Sequence, residues 1–193
     1  RLNDIMRFIV STSTLLKHLQ TVNGASSSST VLPILENFLF EIKDGNLTIS
    51  ATDLQTSMTT ALPVESKEEG KVAVPSKILL DTLKTLPDQP IAFNIDDSTF
   101  AIEISAGDGK YKLSGENGDD FPKIPVVENA SSVNLPASVL TEAITKTIFA
   151  VSNDELRPAM TGVFCQLSPQ HITFVATDAH KLVRYRRMDS KAD

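Results

Sequence analysis

The sequence is poor in the residues that build metal centres and disulfide frameworks. It has one cysteine, Cys165, three histidines and no tryptophan among 193 residues. A single cysteine excludes an internal disulfide and fits a reducing cytoplasm. No Cys-x-x-Cys pair and no His-Glu-x-x-His motif occurs, so we predict no metal site, no cofactor and no catalytic centre.

Long apolar runs are also missing. No stretch approaches the ~20 residues that a membrane helix needs, and the parts of a secretory signal are absent. We therefore expect no membrane segment and a cytoplasmic location. Residues 1–5 precede Met6 and are interpreted as an artificial leader or an upstream extension outside the fold.

The sequence also lacks an excess of positive charge. The net charge is −6 at pH 7, which argues against a protein that coats nucleic acid, because phosphate neutralisation needs clustered lysine and arginine. The hydrophobic fraction of 41% is enough for a buried core.

What the sequence does contain is an internal repeat. Residues 47–53 (LTISATD) recur as residues 172–178 (ITFVATD), an offset of 125 (178 − 53). The same offset, without a gap, aligns Leu15 with Leu140 and Pro33 with Pro158. A constant offset that keeps apolar against apolar residues indicates a repeated structural unit.

Each copy is predicted as a strand, a helix and three further strands. Apolar residues at i, i+4 and i+7 predict the helices, and alternation predicts the strands. A more diverged unit lies between the two copies, so the chain holds three βαβββ units. The predicted helices are residues 12–22, 76–86 and 137–148, and the third unit is predicted to begin with a strand at Val133.

Two of these units, residues 6–125, are predicted to form one domain, with residues 121–125 as a linker. The third unit, in residues 126–193, is predicted to be the first half of a second domain. Half a domain leaves a sheet edge and an apolar helix face uncovered. We therefore expect the chain to be an N-terminal fragment of a longer protein.

At this point the sequence resembles the bacterial DNA polymerase III beta subunit, the beta sliding clamp. The likeness runs from Met6 to about Arg187. The segments that carry it are residues 32–37 (LPILEN), 51–54 (ATDL), 74–77 (VPSK), 120–122 (DFP) and 176–182 (ATDAHKL).

The resemblance implies an α+β clamp fold with helices on the inner face and antiparallel sheets outside. It implies a homodimeric ring that encircles duplex DNA without reading its sequence. It also implies a processivity role that tethers the polymerase III catalytic subunit, the clamp loader and repair polymerases.

On this model the helices face DNA and carry a slight positive charge. The predicted helices hold four lysines against Asp81 and Glu142, a net of +2, within an acidic chain. Solubilising lysines on short helices would look the same. The DNA-facing residues implied are Lys17, Lys77, Lys84, Lys146 and Ser29, the last in a serine-rich loop that lacks the family's arginine. Asp154, in the matching loop of the third unit, is expected to repel phosphate.

The resemblance further implies a pocket in the third unit that binds an apolar peptide of partner proteins. Its wall would be Arg157, Met160, Thr177, Ala179, His180, Lys181 and Leu182. Alanine at 179 replaces the family's glycine, so a positive φ is not expected there. Lys181 replaces an arginine and loses bidentate bonding. The alternative for Thr177 and Asp178 is that they only close a turn.

The family's subunit contact implies an interface at Tyr111 and Leu113, on an apolar edge strand that needs cover. The alternative is that these side chains face the domain's own core.

Two other classes of protein remain as alternatives. A small metal-dependent hydrolase would have to use Asp178, His180, His171 and Cys165, with Asp178 and His180 on one face of a strand. A protein-interaction module without a DNA role would not place its helices together on one face.

Overall fold

A computed structural model describes residues 5–26, 32–124 and 133–189. The chain divides into unit 1, Arg1–Val126, and unit 2, Val127–Asp193. The strands are β1 Ile5–Ser11, β2 Asn37–Lys43, β3 Asn46–Thr52, β4 Ser57–Pro63, β5 Glu65–Ser66, β6 Gly70–Pro75, β7 Pro90–Asp96, β8 Ala101–Ala106, β9 Gly109–Ser114, β10 Glu116–Asn117, β11 Phe164–Leu167, β12 Ile172–Thr177 and β13 Leu182–Arg187. The helices are α1 Thr12–Val22, α2 Ser76–Lys84 and α3 Ala137–Thr145.

Local sequence sets where the helices of unit 1 begin. Ser11 caps α1, and its hydroxyl accepts a hydrogen bond from the Thr14 N–H at 3.3 Å. Pro75 precedes α2, where a fixed φ suits a helix start and a missing N–H costs nothing. Both helices bury a leucine stripe, and they contact each other.

The two repeats of unit 1 exchange their first strands. One antiparallel sheet has the order β5-β1-β7-β8-β9, and the other has the order β10-β6-β2-β3-β4. Strand β1, from the first repeat, therefore completes the sheet of the second repeat, and β6 does the reverse. Each repeat thus supplies one strand to the sheet of the other.

An aromatic cluster lies where the two sheets meet the helices. Phe8 and Phe93 stack on adjacent strands with ring centroids 4.6 Å apart, and Phe40 of the other sheet lies 6.3 Å from each. All three are fully buried. Removing one such ring costs about 3–5 kcal/mol, so this cluster stabilises the strand exchange directly.

Unit 2 has the fold of one repeat. Its sheet has the order β11-β12-β13, and its small core joins Ala143 of α3 to Ile172 and Phe174 of β12. Shifting α1 and β2 to β4 by 125 residues gives these elements to within two residues at most ends. The repeat inferred from the sequence is thus a repeat in three dimensions.

Burial differs sharply between the two copies. Leu15 and Leu19 of α1 are fully buried, whereas their equivalents on α3, Leu140 and Ile144, are 41% and 37% exposed. In unit 1 a second helix and a second sheet cover that stripe, whereas residues 133–189 of unit 2 form one α-helix and one sheet.

Several sequence expectations need correction. Residues 133–136 form no strand. In unit 1 the first strand of each repeat pairs with the sheet of its partner repeat, and residues 133–189 of unit 2 contain no partner repeat. Helix α3 ends at Thr145, followed by a 3₁₀ turn at Ile148–Ala150. Phe121 was assigned to a linker, but it is 3% exposed and packs on Ile34, Leu39 and Ala73 of unit 1.

Candidate functional site

The predicted pocket residues of unit 2 centre on the turn between β12 and β13. The Thr177 hydroxyl donates to the Lys181 carbonyl at 2.7 Å and accepts from the Ala179 N–H at 3.2 Å. Asp178 Oδ1 accepts from the N–H groups of His180 and Lys181 at 3.0 and 2.8 Å. The turn residues are therefore held by side chain to backbone bonds within the turn itself.

The same turn occurs in unit 1. Thr52 bonds the N–H of Leu54 and the carbonyl of Thr56, and Asp53 Oδ1 accepts from the N–H groups of Gln55 and Thr56. These bonds match those of unit 2 one for one at the 125-residue offset. The threonine and the aspartate therefore have a structural role in both units.

The expectation for Ala179 was wrong. Its φ is +75°, and Leu54 at the equivalent position also has φ +75°. Such a backbone costs an L-residue about 1–2 kcal/mol, but the four shared bonds of the turn define the chain path whatever residue follows the aspartate. The family's glycine is thus not required for this conformation.

Electrostatics strengthen the turn. The Lys181 ammonium pairs with Asp178 Oδ2. That hydrogen bond, followed by those from the backbone N–H groups, holds the pKa of the Asp178 carboxyl well below its usual range. The Lys181 side chain is therefore paired within its own turn. The adjacent Leu182 side chain is 66% exposed to solvent.

Of the other predicted pocket residues, Arg157 precedes a 3₁₀ turn at Pro158–Met160, and Met160 is its last residue. Arg157 Nε donates to Asp154 Oδ2 at 2.8 Å, and the Met160 carbonyl accepts from the Ser152 N–H at 2.8 Å. Asp154, expected to repel phosphate, instead pairs with Arg157. The charges of Arg157 and Lys181, the two cations of the predicted pocket wall, are thus partly neutralised by Asp154 and Asp178.

The predicted DNA-facing lysines differ in their surroundings. Lys17 on α1 and Lys77 on α2 are exposed, and neither has an ion-pair partner within the described ranges. Lys84 lies 3.8 Å from Asp81. Ser29 lies outside the described residues.

Lys146 is not in α3 but caps its C-terminus. It bonds Glu142 at 2.5 Å and lies 4.8 Å above the Tyr185 ring. With the observed bounds, the three helices hold three lysines against two acidic residues, a net of +1 instead of +2.

The predicted subunit contact lies on an edge strand. Strand β9 ends its sheet, as expected. Tyr111 and Leu113 are half-buried and pack against the core of unit 1. Their side chains thus pack mainly within the domain. The backbone edge of β9 is the part of this strand that remains open to a partner.

The residues of the hydrolase alternative do not assemble. Asp178 and His180 lie in a turn, not on a strand. Within residues 5–26, 32–124 and 133–189, no cluster of three or more His, Cys, Asp or Glu side chains is arranged to hold a metal. Burial raises the pKa of the Cys165 thiol, which disfavours the thiolate. No helix in these ranges is long and apolar enough to cross a membrane.

One network was not foreseen from the sequence. Arg187 bonds Glu142 at 2.7 Å and Asp189 at 2.6 and 2.7 Å, which ties β13 to α3. The hydrogen bonds to Asp189, followed by the one to the Tyr185 hydroxyl, raise the pKa of Arg187, and the hydrogen bond from Lys146 lowers the pKa of Glu142. Glu142 and Arg187 are 45 residues apart, so no local pattern predicts the pair.

Comparison with known families decides the identity. A model described as the DNA polymerase III beta subunit, N-terminal domain, matches residues 6–125, and the central-domain model matches residues 134–192. The chain belongs to the DNA polymerase III beta subunit family. The family resemblance and the α+β clamp fold predicted from the sequence are thereby confirmed.

Individual relatives agree with this assignment. The beta sliding clamp of Halalkalibacterium halodurans is 32% identical over 92% of the chain and 48% of its own length. The sliding clamp structure from Bacillus subtilis matches 97% of the chain and 52% of its own at a TM-score of 0.90 and 25% identity. A clamp from Bartonella birtlesii bound to griselimycin matches 97% of this chain and 51% of its own, with 28% identity and a TM-score of 0.87. The chain spans about half the length of the curated relatives it matches.

Proposed function

We propose that this chain is part of a processivity clamp, a ring that encircles duplex DNA and tethers the replicative polymerase to it. The observation that carries the proposal is the strand exchange between repeats, found in a chain of the beta subunit family. Repeats that complete each other's sheets form one continuous domain, and a closed ring of such domains would hold DNA by topology without sequence readout. The protein acts without catalysis, in the cytoplasm.

In this role α1 and α2 face the DNA. Lys17 and Lys77, exposed and without ion-pair partners in the described ranges, are the expected phosphate contacts. Lys84 and Lys146 contribute less, because each already pairs with an acidic side chain. Few, weak and salt-sensitive contacts suit a ring that has to slide.

The other surfaces serve partners. The backbone edge of β9, near Tyr111 and Leu113, is proposed as the contact between the two subunits of the ring. The surface of Leu182, His180, Ala179, Thr177 and Lys181, with Arg157 and Met160, is proposed as part of a pocket for an apolar peptide. The polymerase III catalytic subunit, the clamp loader and repair polymerases are the proposed sources of that peptide.

Retention on circular DNA tests the clamp role. A polypeptide of the relatives' full length, with this chain as its N-terminal half, is loaded onto a nicked plasmid by a clamp loader and passed through a sizing column. We expect co-elution with the plasmid and loss after the plasmid is linearised. Equal retention on both forms would show ordinary binding and reject topological holding.

Substitution at Leu182 tests the pocket. Leu182→Ser removes the exposed apolar side chain and is expected to weaken binding of an apolar peptide at least tenfold in the same polypeptide. Met58→Ser is the matched control, because Met58 is also an exposed apolar side chain, 42% accessible, but lies on β4 of unit 1. Equal weakening by both variants would contradict the assignment.

A further inference from the structure

The outer face of the unit 2 sheet carries a stripe of side chains that begins at Leu182 of the proposed pocket and continues with two arginines that none of the roles above uses. The register places Leu182 opposite Thr177, Arg184 opposite Val175 and Arg186 opposite Thr173. Alternate residues of a strand share a face, so Leu182, Arg184 and Arg186 point to one side. The opposite face of β13 lies against β12 residues buried beneath α3.

The positive charge of this stripe is not balanced within the unit. Arg184 has no hydrogen-bond or ion-pair partner among the described residues, and Arg186 bonds only the neutral hydroxyl of Thr173, at 3.2 Å. Arg187, on the opposite face, bonds two carboxylates. No acidic residue stands on the outer face of β11, β12 or β13.

Apolar groups border the two arginines. Leu182 is 66% exposed at one end of the stripe, and Phe164 is 63% exposed beside Val175, in the same cross-strand row as Arg184. A surface with exposed apolar side chains next to unpaired cations matches a partner that carries both apolar and acidic groups.

We propose that the peptide site continues from Leu182 along β13, where Arg184 and Arg186 bind acidic side chains of the same peptide. The inference rests on the pocket proposed above and adds a charge requirement to it. An extended chain advances about 3.3 Å per residue. A peptide that runs beside β13 therefore meets Arg184 and Arg186 with the side chains two and four residues from the one that contacts Leu182.

Duplex DNA is the other anionic macromolecule that two arginines attract. Its phosphates offer nothing apolar to cover Leu182 and Phe164, and the stripe lies on a sheet, whereas the lysines proposed for DNA lie on helices. A peptide with acidic and apolar side chains can pair with the two arginines and also cover Leu182 and Phe164. The stripe is therefore assigned to a peptide.

Two fluorescein-labelled extended peptides test the assignment against the chain itself. Both carry the same leucine and phenylalanine segment. One carries glutamate two and four residues beyond it, and the other carries lysine there. Binding is followed by fluorescence polarisation and by NMR shifts of the β13 amides. We expect the glutamate peptide to bind at least tenfold more tightly, and Arg184→Glu to reverse the preference between the two.

Matched variants separate the possible failures. Lys112→Glu changes an exposed strand cation in unit 1 and is expected to leave both affinities unchanged. If the two peptides bind equally at the Leu182 end and Arg184→Glu changes neither, the acidic extension is wrong while the pocket stands. If neither peptide shifts the amides near Leu182, the pocket itself fails. If a short DNA duplex displaces the glutamate peptide and Arg184→Glu abolishes DNA binding, the stripe is a phosphate site.

Discussion

Positive φ at Leu54 and Ala179 shows how single residues can be overruled by their neighbours. In both units a threonine and an aspartate fix the turn through the same set of bonds. The residue after the aspartate has to adopt φ +75° whether it is leucine or alanine. The repeat predicts that the two turns are equivalent, but the identity of the residue at the strained position does not predict its conformation, because the bonds around that residue determine it.

Relief of this strain is testable at Leu54. Leu54→Gly is expected to raise the free energy of unfolding by about 0.5–1 kcal/mol, because glycine avoids the left-handed penalty but is costlier to order. Leu54→Ala retains a Cβ and is expected to stay within about 0.5 kcal/mol of the parent chain. Urea denaturation of unit 1 measures both. Equal stabilisation by glycine and alanine would mean that the exposed side chain is the cost, not the backbone.

The turn that follows β7, at Asp96, predicts that the stability of the fold depends on pH in the acidic range. Asp96 accepts hydrogen bonds from the Ser98 hydroxyl and from the N–H groups of Thr99 and Ser98, which lower the pKa of its carboxyl from 3.8 to about 2. A lowered folded pKa stabilises the chain above about pH 4, and this contribution is lost as pH falls through 2. Asp96→Asn is expected to reduce the fall in the urea midpoint between pH 4 and 2. Asp108→Asn, in the next hairpin turn, is the control and is expected to leave that fall unchanged.

Elements whose bounds depend on nearby residues could be predicted from the sequence, whereas the pairing of strands exchanged between repeats could not. Helix α1 has the predicted bounds, because its cap and its leucine stripe are all within one stretch of sequence. The pairing of β1 with β7 joins residues that are 79 (Ser11 and Pro90) to 91 (Ile5 and Asp96) positions apart, and nothing local in either strand specifies it. The missing strand near Val133 has the same origin, since its partner belongs to another repeat. Within the site, the turn was predictable from the repeat, whereas the pairing of Arg157 with Asp154 and of Lys181 with Asp178 emerged only from side-chain geometry.

The junction between β9 and β10 offers a test of the strand exchange. A Cβ on Gly115 would lie 2.9 Å from the carbonyl oxygens of Ala73 in β6 and of Phe100. Neither backbone atom can move without disturbing a sheet, so Gly115→Ala is expected to lower the free energy of unfolding by about 1–3 kcal/mol. Gly24→Ala meets nothing within 4 Å and is expected to be neutral or slightly stabilising. Similar losses in both variants, measured by urea denaturation, would argue against the close approach.

At the scale of the whole molecule, the proposed DNA binding depends on both charge and topology. The net charge is −6, and only Lys17 and Lys77 of the predicted DNA-facing lysines lack an acidic partner in the described ranges. Non-specific binding through many phosphate contacts typically reaches dissociation constants of about 10⁻⁴–10⁻⁶ M. Two contacts on an acidic chain give weaker binding than this, and therefore a larger dissociation constant. A protein that depends on encirclement therefore has little open-chain affinity.

This chain alone is accordingly expected to bind a short linear duplex with a dissociation constant above about 100 μM at physiological salt, as measured by gel shift or fluorescence anisotropy. Lys17→Glu with Lys77→Glu should weaken the residual binding further at low salt, where two lost phosphate contacts weigh most. Lys112→Glu, on β9, makes a like change away from the helices and should leave it unaltered. Sub-micromolar affinity for linear DNA would mean that direct contacts, not a closed ring, hold the protein on its template, and a weakening by Lys112→Glu equal to that of the helix variants would remove the helices from the DNA-facing surface.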